Sequence, residues 1–185
     1  MSTLLVLGGA RSGKSRYAES LARGQKIYVA TAEASDAEMQ VRIAAHKQQR
    51  GPDWETYEVP LDLPGLLQEI GGRDCFILID CLTIWMSNLI LAKLDVRAEV
   101  EFLCDGLKKT KARVVLVSNE VGLGIVPANA LAREFRDEHG FLNQRVAETV
   151  DEVVFIAAGL PMVLKKPARK AASRKPAKSS RSRKA

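Results

Sequence analysis

Cysteine is scarce in this 185-residue chain, and so are aromatic residues, which make up 5% of it. Cys75, Cys81 and Cys104 are odd in number and none belongs to a Cys-x-x-Cys pair, so neither a disulfide framework nor a zinc site is expected, and the three read as buried reduced thiols. Long apolar runs are also missing. Only five residues of hydrophobic character, 3–7, precede the first glycines, too few for a signal peptide. No stretch approaches the roughly 18 apolar residues of a membrane span. A soluble, cytoplasmic protein is the expectation. The length accommodates one ordinary domain with a full core and leaves no room for a second, and no internal repeat is visible.

Positive charge is abundant overall but not evenly spread. The formal charge is +6, yet residues 165–185 carry ten Lys and Arg and no acid, which leaves 18 bases against 22 acids in residues 1–164. The expected folded body, 1–164, is therefore acidic. Residues 165–185 contain Lys, Arg, Ala, Ser and Pro with no large apolar side chain, a composition that does not recover the entropy of ordering. A disordered basic tail is expected there, either solubilising or in nonspecific contact with a polyanion; without aromatics it has nothing to stack on bases.

Continuous apolar runs recur at 4–7, 27–30, 76–79, 114–117 and 153–157, and stretches of helical period separate most of them. Continuous rather than alternating runs suit strands buried on both faces, so the pattern predicts an α/β sandwich with a mainly parallel sheet. Residues 54–59 read as an edge strand and 162–164 as a short closing one. The best-marked helix is 36–50, opened by the capping box Ser35-Asp36-Ala37-Glu38 and stopped by Gly51-Pro52. Val96, Val100, Leu103 and Leu107 form a helical stripe; Leu131, Phe135, Leu142 and Val146 indicate one long helix or two broken near Gly140.

Directly after the first apolar run comes Gly8-Gly9-Ala10-Arg11-Ser12-Gly13-Lys14-Ser15, a complete G-x-x-x-x-G-K-[ST] phosphate-binding loop between strand and helix. Such a loop turns tightly on its glycines and points backbone N–H groups at phosphate, with Lys14 reaching the β- and γ-phosphates and Ser15 offering a hydroxyl to Mg²⁺. The start of the following helix adds its positive dipole end. Asp80 follows the run 76–79 and should emerge on the same sheet edge, either as the metal carboxylate or as the N-cap of a helix near Thr83.

Asn119 and Glu120 end the next strand; Glu120 reads equally as an edge residue or as a solvated loop acid. His46 shares a helix face with Met39 and Ile43, which suits a core or boundary histidine, while Lys47 and Arg50 give it the cationic company of a phosphate-facing nucleophile. His139, within the polar run 136–140, reads as a surface residue.

Several strings together resemble one family in order and spacing. They are the phosphate loop with Arg16, Val29-Ala30-Thr31-Ala32, Glu38-Met39 with Arg42-Ile43 and His46-Lys47, Asn119-Glu120-Val121-Gly122-Leu123-Gly124-Ile125-Val126-Pro127, and Arg136-Asp137 with Gly140 and Asn143-Gln144. The chain resembles, over residues 3–164, the bifunctional adenosylcobinamide kinase/adenosylcobinamide-phosphate guanylyltransferase family of cobalamin biosynthesis. This resemblance implies a RecA-like P-loop NTPase fold and two reactions: phosphorylation of adenosylcobinamide by ATP or GTP, then transfer of GMP from GTP to that phosphate, releasing pyrophosphate.

It also implies a covalent GMP–histidine, at His46, with Lys14 as the other catalytic residue. Nucleotide contacts are implied for residues Gly8 to Ser15, for Ala30, Thr31, Ala32, Lys47, Gln48, Gln49, Arg50 and Glu58, and for Asp80. Mg²⁺ is expected on Ser15 and Asp80, the loop 119–127 near the corrinoid, and a homotrimer as the assembly. Asp80 departs from the family, which commonly has Glu there, and the basic tail lies outside its pattern. Two other readings remain open at this level: a nucleic-acid-stimulated P-loop ATPase, against which the acidic body counts, and a small-molecule kinase without nucleotidyl transfer.

Overall fold

The computed structural model describes residues 2–32 and 53–167. The expected helix 36–50, with His46, Lys47, Gln48, Gln49 and Arg50, lies outside the described residues, as does the chain from 168 onward.

Seven strands form one sheet: β1 Thr3–Gly8, β2 Lys26–Ala30, β3 Trp54–Glu58, β4 Phe76–Asp80, β5 Arg113–Asn119, β6 Glu152–Ala157 and β7 Leu160–Lys165. Their order is β3-β2-β4-β5-β1-β6-β7, with every neighbouring pair parallel except β6 and β7. The helices are α1 Lys14–Ser20, α2 Leu63–Ile70, α3 Leu82–Leu91, α4 Val96–Lys109 and α5 Ala130–Thr149. The mainly parallel α/β expectation is thus met. Residues 54–58 form the edge strand β3, as read from the sequence.

Side chains alternate across each strand, so the continuous apolar runs feed two cores. Leu5, Leu7, Ile27, Val29, Ile77, Ile79, Val114 and Leu116 pack against α2, α3, α4 and α5 on one face. On the other, Leu4, Val6, Tyr28, Leu78, Val115, Val117 and Ile156 gather with Ala18 of α1. Cys75, Cys81 and Cys104 are buried free thiols, as expected. Burial holds all three thiols above their ordinary range, Cys81 at about 11.

Three readings are sharpened: one open alternative is decided and two expectations are corrected. Of the two alternatives for 130–149, the single long helix holds: α5 is a 20-residue helix that passes through Gly140 without a break, capped at its start by Asn129, whose Oδ1 accepts from Ala132 N–H. Packing of Leu142 and Val146 outweighs the roughly 1 kcal/mol that glycine costs a helix. Leu131, counted in its apolar stripe, is exposed. The third concerns Lys165, read as the first residue of the tail. It ends β7, and its ammonium donates to the carbonyls of Ala147, Glu148 and Val150 at the close of α5. Cations there meet the negative end of the helix dipole, which ties the strand end down.

Candidate active site

Parallel strands deliver their last residues to one edge, and the candidate residues collect there. Gly8 ends β1, Ala30 ends β2, Glu58 ends β3, Asp80 ends β4 and Asn119 ends β5. Ala30 is registered between Glu58 and Asp80, while Gly8 is registered with Asn119 on one side and Ile156 on the other. Because β5 lies between β1 and β4, the residues following it emerge between the phosphate loop and Asp80. Such carboxyl edges are where open α/β sheets bind ligands.

The loop from Gly8 to Ser15 is built around close backbone approaches. A Cβ on Gly8 would sit 2.6 Å from Ser12 Oγ and 2.7 Å from the Ile156 carbonyl. Gly13, the N-cap of α1, has φ +96°, where any side chain is strained. Arg11 at the loop apex is also left-handed, at φ +55°. Lys14 is buried, and its ammonium donates to the Gly9 carbonyl at 3.2 Å, so the charge points back into the loop. A second support comes from the β6–β7 turn, where Gly159 N–H donates to the Ser12 carbonyl at 2.9 Å. Ser12 Oγ is buried with no hydrogen-bond partner among the described residues.

Ser15 and Asp80 supply one hydroxyl and one carboxylate, hard oxygen donors of the few-ligand kind that Mg²⁺ accepts alongside phosphate oxygens and water. The orphaned Ser12 hydroxyl in the same loop agrees with a site whose polar groups are completed by a ligand. The competing role for Asp80, helix capping, is not the one found. α3 begins at Leu82 behind Cys81, with no side-chain cap. The Asp80–Cys81 peptide is cis.

Thr31 is fully buried, and its hydroxyl is occupied: it donates to the Cys81 carbonyl at 2.7 Å and accepts from Cys81 N–H at 2.9 Å. Asn88 of α3 in turn donates to the Thr31 and Pro60 carbonyls. Thr31 therefore fastens the end of β2 to the segment after Asp80. Glu58, at the far edge on β3, is exposed.

His139 corrects the sequence reading most sharply. Expected at the surface, it is fully buried on α5, beside Phe135 and behind the end of β5. Asn143 Nδ2 donates to His139 Nδ1 at 3.3 Å, so Nε2 carries the proton and faces Thr83 Oγ1 at 3.1 Å. Ser118 Oγ donates to Asn143 Oδ1 at 2.7 Å and lies 3.4 Å from Nε2. Burial pushes the imidazole pKa down to about 4, opposed by the negative charge of Glu120. This cluster grips the peptide of Asn119 from both sides: its N–H donates to Thr83 Oγ1 at 2.8 Å and its carbonyl accepts from Asn143 Nδ2 at 3.0 Å. Sequence reasoning missed the cluster; the available signal was the four-residue spacing of His139 and Asn143, which puts both on one helix face.

With this geometry in place, likeness to known proteins is informative. Residues 4–164 match the family described as "Cobinamide kinase / cobinamide phosphate guanyltransferase". The bifunctional adenosylcobalamin biosynthesis protein CobP of Pseudomonas aeruginosa is 47% identical over 168 residues, covering 87% of this chain and 96% of the relative. The corresponding protein CobU of Salmonella typhimurium is 41% identical over 179 residues, covering 88% of this chain and 99% of the relative. Among solved structures, a prototypical ATPase from the type III secretion system of pathogenic bacteria superposes with a TM-score of 0.50 at 16% identity, covering 88% of this chain and 56% of that one. That likeness shows the fold alone, an α/β sandwich with a mainly parallel sheet. An intact phosphate loop at the sheet edge, together with a match over nearly all of the expected body, leads to one conclusion: this chain belongs to the cobinamide kinase/cobinamide phosphate guanyltransferase family.

Proposed function

We propose that this chain phosphorylates adenosylcobinamide with ATP or GTP and then transfers GMP from GTP to adenosylcobinamide phosphate, giving adenosylcobinamide-GDP and pyrophosphate in cobalamin biosynthesis. The observation that carries this reading is the family match across residues 4–164 to a bifunctional enzyme, on a chain whose phosphate loop is complete. In the first step the substrate hydroxyl oxygen attacks the γ-phosphorus, and the bond to the β-phosphate oxygen breaks. In the second, the neutral imidazole of His46 attacks the α-phosphorus of GTP and pyrophosphate leaves with the electron pair. A phosphate oxygen of adenosylcobinamide phosphate then attacks the same phosphorus and frees the imidazole.

Lys14 and the loop N–H groups neutralise charge on the triphosphate in both displacements, which is why one cradle serves two chemistries. Ser15 and Asp80 are the residues that hold Mg²⁺ in this reading. When bound, the ion supplies charge neutralisation on the phosphate oxygens. Asp80 has one methylene fewer than the Glu common in the family, which favours contact through water. Residues 8–15, 30–32, 47–50 and 58 make up the nucleotide site of the proposal, with the loop 119–127 toward the corrinoid. Exposure of Leu123, Ile125 and Val126 in that loop supports the last assignment, since a large, partly apolar substrate would cover them.

A homotrimer belongs to the same reading. Among the described residues no helix is long and apolar enough to cross a membrane. The test is direct: incubating the protein with adenosylcobinamide, ATP and GTP should yield first the phosphate and then adenosylcobinamide-GDP, resolved by chromatography and mass. Absence of both products overturns the reading.

A further inference from the structure

We propose that Glu120 is the proton acceptor of the kinase step, taking the hydroxyl proton of adenosylcobinamide as its oxygen attacks the γ-phosphorus. This rests on the kinase reading above. An alcohol attacking phosphorus must shed a proton, and a carboxylate within hydrogen-bond reach of it is an efficient acceptor. Among the described residues, the acids that end strands at the site are Glu58 and Asp80, and Glu120 follows the end of β5 directly. Neighbouring strands lie about 4.8 Å apart, so Glu58 on β3 stands about 19 Å from the phosphate-loop strand β1 and Asp80 on β4 about 10 Å. Glu120 alone leaves the strand adjacent to β1.

Its backbone is fixed to the cradle. Glu120 N–H donates to the Gly8 carbonyl at 3.0 Å, at the first residue of the phosphate loop. Behind it, the Asn119 peptide is held by Thr83 and Asn143, so the buried cluster sets where Glu120 leaves the strand. The carboxylate is aimed locally: Oε1 accepts from Gly122 N–H at 2.5 Å, and a Cβ on Gly122 would lie 2.9 Å from the same oxygen. One carboxylate oxygen is thereby oriented while the side chain stays only half-buried. On its far side begins the exposed apolar stretch with Leu123, Ile125 and Val126. Glu120 therefore stands at the junction between the phosphates and the loop assigned to the alcohol substrate.

The step balances without a further reactant. The O–Pγ bond forms as the bond from Pγ to the bridging oxygen breaks, the leaving nucleoside diphosphate keeps the electron pair, and the proton passes to Glu120 and then to solvent. The second reaction needs no such acceptor, because the phosphate oxygen that attacks there is already deprotonated.

The full-length Glu120→Gln variant tests this with two assays. Phosphorylation of adenosylcobinamide should fall about 10²- to 10⁴-fold in kcat with KM nearly unchanged. GMP transfer from GTP to preformed adenosylcobinamide phosphate should fall far less than the kinase rate, and a far-UV circular dichroism spectrum and urea midpoint matching wild type show that the variant is folded. Glu120→Asp, which keeps the carboxylate, should recover part of the kinase rate. A kinase rate within threefold of wild type in Glu120→Gln overturns the proposal, and so does an equal loss of both activities. Failure of the wild-type protein to phosphorylate adenosylcobinamide counts instead against the kinase reading.

Discussion

His139 occupies a fully enclosed position where its neutral form satisfies every neighbour: Nδ1 accepts from Asn143 and Nε2–H faces Thr83. A second proton on Nδ1 would face the Asn143 amide hydrogens, donor against donor. The folded imidazole thus titrates at about 4 and the unfolded one near 6.5. Since the folded pKa is the lower, unfolding takes up a proton between these values. The cluster's full contribution is present above about pH 6.5 and is lost as pH falls toward 4, amounting to about 3 kcal/mol in all. Glu120 is the charged group that opposes this, holding the pKa higher than burial alone would. Urea unfolding at pH 7.5 and pH 5 should show wild type losing about 2 kcal/mol more stability on acidification than His139→Gln. Equal losses in the two proteins would contradict the assignment. The placement of Lys14, Ser15 and Asp80 at one sheet edge was legible in the sequence because each follows an apolar run at a fixed spacing. His139 was not, because its flanking Arg136, Asp137 and Glu138 are polar and only the docking of α5 on β5 reveals which side of the helix is buried.

At the scale of elements, the parallel strands were legible because strands covered on both faces must be apolar throughout. β6 was legible as the apolar run 153–157, whereas β7 was read only as a short closing strand at 162–164, since its exposed residues give no burial signal. The turn between them, Ala158 and Gly159 at φ +52° and +81°, has both central residues left-handed, as tight hairpins prefer, and it places Gly159 against the phosphate loop. β7 is an edge strand with Leu160, Met162, Val163 and Leu164 all more than half exposed. Uncovered apolar edges favour pairing with another chain, so the proposed homotrimer is expected to cover this edge. Light scattering should give three times the 20.3 kDa chain mass, and Met162→Lys with Leu164→Lys, on one face of β7, should shift it toward one chain. A wild-type mass of one chain contradicts the trimer; a trimer unchanged by the double substitution contradicts the edge.

The whole molecule divides its charge between an acidic body and a basic terminal stretch, so its overall +6 says little about the site. What defines it is the meeting of β1, β5 and β4 at one edge, which gathers the phosphate loop, Glu120 and Asp80 there. The family strings at 119–127 and 136–144 pointed to the specific reaction, whereas the phosphate loop alone pointed only to a nucleoside triphosphate. The central claim is that this cradle serves displacement at the α-phosphorus as well as the γ-phosphorus, through His46. Incubation with GTP radiolabelled at the α-phosphate should leave label bound to the protein by a bond that is labile to acid and stable to base, as a phosphoramidate is. His46→Ala should carry none. No label on the wild-type protein, or label that survives in His46→Ala, would contradict the account.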